Sequence, residues 1–135
     1  MEREKKVIDA SVVIKWFVNE EYSDKALLIK NRHVNGNIQL VAPELLIIEV
    51  LNALRYKGKN IEELKTINSD LIDIQIKIER LNKILIEKAL KISLENNFSI
   101  YDSIYIALAQ IHGTEMITDD RILKNVPSVS LLKDI

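Results

Sequence analysis

The 135-residue chain has no cysteine, only three glycines and two prolines, and no dominant sign of charge, with 19 basic residues against 20 acidic. Without cysteine, disulfide scaffolds and zinc fingers are excluded, and the composition fits a reducing compartment. So few glycines and prolines leave no linker, repeat or low-complexity tail, and the chain reads as compact throughout. A net charge of -1 and a pI near 6.1 exclude a polycation that coats nucleic acid by counterion release. Any nucleic-acid contact must therefore be local. No apolar run reaches membrane-spanning length, and the run after Lys6 is broken by Asp9 and Lys15, so it does not read as a signal peptide. The expectation is a cytoplasmic protein with no membrane contact, a single domain over residues 1–135 that buries roughly two-thirds of its extended surface.

What is present alternates between strand and helix signals. Lys6-Val7-Ile8-Asp9 reads as a short strand, followed by Ser11 and a helix-like run from Val12 to Phe17. A helix from Glu21 stops at Asn35-Gly36-Asn37, leading into a strand at Ile38–Val41. Pro43 opens a helix from about Glu44 to Lys57, closed by Gly58, and another begins at Asn60 with Glu62 and Glu63 in its first turn. Ile72, Ile74, Ile76 and Ile78 alternate with polar residues, which predicts a strand in that stretch. Helical spacing returns from Leu81 to Asn96-Asn97 and from Tyr101 to His112; Glu115–Ile117 and Val129–Leu131 complete the strands. This order predicts an α/β fold with a mostly parallel central sheet.

The functional signal lies where carboxylates interrupt apolar context. Asp9 ends a strand that a parallel sheet would cover on both faces, which places it at the carboxyl edge where open α/β sheets bind ligands. A helix cap explains it equally well. Glu49 sits in Leu45-Leu46-Ile47-Ile48-Glu49-Val50-Leu51, where an unpaired carboxylate needs a cation, a proton or a metal; an ion pair with Arg55 or a lysine is the plain alternative. Ser99 with Asp102 resembles a capping box, and Asp119 and Asp120 suit a turn and cap. Taken together, several carboxylates in one crevice repel unless divalent cations are bound or their pKa values rise. With no cysteine and two histidines, oxygen-only ligation points to Mg²⁺ or Mn²⁺. His33 and His112 read as surface or helix C-terminal residues outside the ligand set.

Val7-Ile8-Asp9-Ala10-Ser11, Glu49-Val50-Leu51-Asn52-Ala53-Leu54, Tyr101-Asp102-Ser103-Ile104-Tyr105-Ile106-Ala107-Leu108-Ala109 and Ile117-Thr118-Asp119-Asp120-Arg121-Ile122-Leu123 resemble, in order and spacing, the motifs of PIN-domain nucleases. Size and the third motif are most similar to VapC-type toxins. The resemblance implies a three-layer α/β/α sandwich with an acidic pocket at the carboxyl edge of its sheet. It further implies an Mg²⁺- or Mn²⁺-dependent endoribonuclease, a cognate antitoxin whose basic side chain enters the pocket, and a homodimer. The catalytic acids would be Asp9, Glu49, Asp102 and Asp120. Metal would be held by Asp9, Asp102 and Asp120, with Asp119 the alternative to Asp120, while Ser11 and Thr118 would line the pocket. Lys15 and Arg55, with Lys57 and Lys59, are candidate phosphate contacts, although an ordinary helix end accounts for the lysines beside Gly58. Apolar partner surface would come from the first and third helices, including Trp16, Phe17 and Leu54, whose plainer role is core packing. An RNA-processing nuclease outside any toxin–antitoxin pair and a non-catalytic metal-binding module are the rival readings.

Overall fold

The computed structural model describes residues 3–135. Five strands, β1 (Glu4–Ile8), β2 (Ile38–Pro43), β3 (Lys77–Glu79), β4 (Met116–Thr118) and β5 (Val129–Leu131), form one sheet in the order β3-β2-β1-β4-β5. Every pairing is parallel, with Val7 opposite both Val41 and Met116 in the register of β1. Parallel strands require crossovers, and the helices α1 (Ala10–Val13), α2 (Ser23–Val34), α3 (Leu46–Tyr56), α4 (Ile61–Asp73), α5 (Lys83–Asn96) and α6 (Ile100–Ile111) supply them. Helix α6 lies against β1, β2 and β4 and carries α5, α2 lies against β2, and α1 touches both β4 and α3. This is an α/β/α arrangement, and its central strands are correspondingly apolar: Val7, Ile8, Leu40, Val41 and Ala42 are fully buried. No helix among the described residues is long and apolar enough to cross a membrane.

Several boundaries follow directly from local chemistry. Gly36 adopts φ 82° after α2 and Asn97 adopts φ 57° after α5, the left-handed caps that Gly and Asn accept at low cost. Asn60 caps α4 in a reciprocal box with Glu63.

Two local expectations are corrected. The alternating isoleucines do not form one strand: Ile72 is an exposed residue of α4, Gln75 turns the chain at φ 60°, and only Lys77–Glu79 pairs with β2. The same stretch also carries Ile67 and Leu71 at helical spacing, both buried, so the capped helix persists until their stripe is exhausted. The expected first helix is a four-residue turn of α-helix continued as a 3₁₀ turn, Ile14–Trp16.

His33 lies in the last turn of α2, one of the two expected placements, but is not a surface residue. It is 5% exposed, its Nδ1 accepts from the Leu40 amide at 3.0 Å, and its Nε2 donates to the Ile74 carbonyl at 2.9 Å. The side chain thus ties α2 to β2 and to the end of α4. Trp16 and Leu54 belong to the core, with Trp16 Nε1 donating to the Ala26 carbonyl at 2.8 Å, so neither offers partner surface; Phe17 is partly buried against that core. The large apolar side chains left outside include Ile48, Ile84, Leu90 and Leu94.

Candidate active site

The strand order reverses at β1, where β2 and β3 extend to one side and β4 and β5 to the other. At such a switch point the loops leaving adjacent carboxyl ends diverge and open a crevice. Asp9 follows β1 there, and Thr118, Asp119 and Asp120 end or follow β4. Asp9 is a helix cap as well: its Oδ1 accepts from the Val12 amide at 3.3 Å and from the Ser11 hydroxyl at 2.6 Å. Thr118 Oγ1 donates to Asp9 Oδ2 at 2.5 Å and accepts from the Asp120 amide at 3.1 Å, while Ser11 Oγ accepts from the Asp119 amide at 2.9 Å. Ser11 and Thr118 therefore lace the two loops together around the Asp9 carboxylate.

Capping alone would leave Asp9 an ordinary acid, and it is not one. Burial raises its pKa from 3.8 to about 6 despite the opposing hydrogen bonds from Ser11, Thr118 and Val12, and the nearby charge of Asp102 adds to the rise.

Two helices bring the other acids. Glu49 lies on α3 between turns that bury Leu46, Val50 and Leu54. Its expected ion pair with Arg55 or a lysine is not made; Tyr105 of α6 donates its hydroxyl to Glu49 Oε1 at 2.7 Å instead. Asp102 stands in the first turn of α6, its backbone amide donating to Ser99 Oγ at 3.1 Å, which satisfies one half of the expected capping box. Burial raises the pKa values of both Glu49 and Asp102. The charge of Asp102 contributes to the rise at Glu49, and the charge of Asp120 to the rise at Asp102. Asp102 is therefore the acid whose charge reaches both Asp9 and Glu49, and the charge of Asp120 reaches Asp102 in turn.

The adjacent pair Asp119 and Asp120 divides into two environments. Lys15, only 5% exposed, places its ammonium 3.3 Å from Asp119 Oδ2 and 3.4 Å from Glu20 Oε1. Asp120 has no such counterion among the described residues; its Oδ1 caps the next turn by accepting from the Ile122 amide at 3.0 Å. Lys15 is consequently not a free phosphate contact, because its single charge is already shared by two carboxylates. Arg55 is exposed with its guanidinium over the Tyr56 ring, Lys57 pairs with Glu20 at 3.0 Å, and Lys59 pairs with Glu63 at 3.6 Å.

Among the described residues none of Asp9, Glu49, Asp102 and Asp120 forms an ion pair. Their carboxylates are neighbours by charge and do not form a closed cage, since no three acidic or histidine side chains among the described residues cluster tightly enough to hold a metal as they stand. Chemically the donor set still fits a hard divalent cation: every available donor is oxygen, and burial, with a smaller contribution from neighbouring acids, raises the pKa values of Asp9, Glu49 and Asp102 with no ion-pair partner among the described residues to oppose it. Both histidines are engaged elsewhere, His112 through Nε2 to Glu79 at 2.8 Å.

Tyr105 is the functional-site residue that pattern reading left without a role. Its spacing of three from Asp102 on a helix was the available signal, since both side chains then share one face.

The PIN domain model matches residues 6–129. No curated protein matches the sequence. Among solved structures the chain resembles a toxin–antitoxin complex from Klebsiella pneumoniae (17% identity, TM-score 0.72, covering 94% of this chain and 97% of that one). It also resembles PAE2754 from Pyrobaculum aerophilum (19%, 0.71, covering 97% and 85%). A third is VapC20 of Mycobacterium tuberculosis, a sarcin–ricin-loop-cleaving toxin (13%, 0.66, covering 84% and 87%). At these identities the likenesses establish the fold.

Proposed function

The chain belongs to the PIN domain family, and on that premise we propose that it is an Mg²⁺- or Mn²⁺-dependent endoribonuclease, the toxin of a toxin–antitoxin pair. The observation that carries this reading is the set of four acids gathered about the switch point without an ion-pair partner among the described residues, three of them, Asp9, Glu49 and Asp102, raised in pKa chiefly by burial. Such a set contributes nothing to the stability of the fold, whereas a bound divalent cation would offset its charge and that of an incoming phosphodiester.

Asp9, Asp102 and Asp120 would hold the cation, Asp119 being reserved by Lys15. Bound there, Mg²⁺ or Mn²⁺ supplies Lewis acidity for an attacking water and charge compensation at the scissile phosphate. Ser11 and Thr118 hold the Asp9 carboxylate in one orientation, each donating to a different oxygen. Glu49, half-buried and unpaired, is suited to orient the attacking water or to accept its proton. None of these roles uses the ribose 2′-hydroxyl, so the products carry 5′-phosphate and 3′-hydroxyl ends.

The toxin assignment draws on the fold likeness to a toxin–antitoxin complex and to a toxin. A cognate antitoxin would inhibit by presenting a basic side chain to the uncompensated acids, and the exposed apolar residues of α5 suit a homodimer contact.

The deciding experiment is cleavage of labelled single-stranded RNA by the purified protein in Mg²⁺ or Mn²⁺, alongside EDTA and Asp9→Asn. Cutting that requires metal and Asp9, with 5′-phosphate ends, supports the reading. Cutting that survives EDTA, or cyclic phosphate ends, overturns it.

A further inference from the structure

Glu49 reaches the acidic site from a helix whose neighbouring turns are apolar, on a flexible side chain with no cation to anchor it. Its orientation therefore needs another cause. Tyr105 is 2% exposed, wedged between α6 and the rest of the core, so its ring is held by packing and its hydroxyl position is set. That hydroxyl lies 2.7 Å from Glu49 Oε1 and can donate only one hydrogen bond. Glu49 Oε2 accepts no hydrogen bond among the described residues, yet it is not a buried unsatisfied atom, so it stays open to a ligand.

We infer that Tyr105 is a positioning residue: its buried hydroxyl holds one oxygen of Glu49 and thereby presents the other to the cation site or to water coordinated there. The inference rests on the reading of the acidic site as a divalent-cation centre. Burial and the Glu49 charge keep the phenol protonated, so Tyr105 is a permanent donor. Asp102 sits one turn earlier on the same helix, so α6 contributes an acid to the site and the support for another acid from a different element.

Mn²⁺ titration at pH 7.5, read by the loss of the free-ion paramagnetic resonance signal, tests this on the wild type, Tyr105→Phe, Glu49→Gln and the double variant. Removing an outer-shell partner of a metal site typically weakens binding by about tenfold or more, whether the carboxylate it orients meets the ion directly or through its water, and Tyr105→Phe is expected to do so while its circular dichroism stays that of the wild type. In the Glu49→Gln background the same change is expected to weaken Mn²⁺ no further, because the group through which Tyr105 acts has lost its charge. Equal losses in both backgrounds would show a general packing effect and overturn the assignment, as would wild-type affinity in Tyr105→Phe. Absence of Mn²⁺ binding by the wild type would instead overturn the cation-site reading, and this assignment with it.

Discussion

Asp9→Asn is expected to stabilise the metal-free protein at neutral pH, although it disturbs one of the three hydrogen bonds that the carboxylate accepts. Holding the carboxyl at about 6 against its ordinary 3.8 means that the ionised form costs the fold about 3 kcal/mol at pH 7. Asparagine has no charge to desolvate, so that cost disappears. Against it stands the second carboxylate oxygen, which accepts from Thr118 and which an amide nitrogen cannot replace as an acceptor. Reorienting the Thr118 hydroxyl to accept instead costs about 1 kcal/mol. The net expectation is stabilisation by about 2 kcal/mol, or roughly 7 °C in Tm for a domain of this size.

The pH dependence distinguishes this cause from any other. Because the folded pKa lies above the unfolded one, the folded state binds the extra proton between 3.8 and about 6, and stability falls as pH rises through that window. The advantage of Asp9→Asn should therefore be full at pH 7 and shrink towards pH 4. Urea unfolding of both proteins in EDTA across that range measures it. Mn²⁺ at pH 7 should then raise the wild-type midpoint and leave the variant nearly unmoved. A variant less stable than the wild type at pH 7 in EDTA, or one whose advantage does not change with pH, would refute the reasoning.

Asp102→Asn should lower RNA cleavage by about 100-fold with the fold intact, since it removes one of the acids that would hold the cation; single-turnover cleavage beside circular dichroism checks this. Lys15→Met strands Asp119 beside a buried apolar chain, Glu20 keeping Lys57, and should cost about 1 kcal/mol, discounted because Asp119 is about a third exposed; urea midpoints measure it, and adding Asp119→Asn should restore part of the loss. His33→Ala breaks two buried hydrogen bonds and leaves a cavity, so it should cost about 3 kcal/mol in unfolding experiments while leaving Mn²⁺ affinity unchanged.

Much of this protein is written locally. Apolar runs a few residues long, punctuated by Gly36 and capped by Asn60 and Asn97, specify strands and helices almost wherever they occur, because hydrophobic period and capping depend only on near neighbours in the chain. The alternation of those elements is enough to imply a parallel sheet, and the acid at the end of a buried strand is enough to make Asp9 a candidate, with a helix cap as its equal alternative. Local pattern failed at Ile72–Ile78, where two periods coexist in the same residues and the buried pair Ile67 and Leu71 decides between them.

What required the tertiary structure is everything that depends on which elements become neighbours. The order β3-β2-β1-β4-β5 puts the switch point beside Asp9, and no local signal distinguishes that order from its alternatives. Adjacent residues Asp119 and Asp120 are equivalent by composition, but Lys15, more than a hundred positions away, pairs with one and leaves the other uncompensated. Glu49 and Tyr105 lie on different helices and meet only once α3 and α6 are packed. Burial then converts those meetings into chemistry, because a carboxylate removed from water responds to each charge and donor around it, and those surroundings exist only in the folded state.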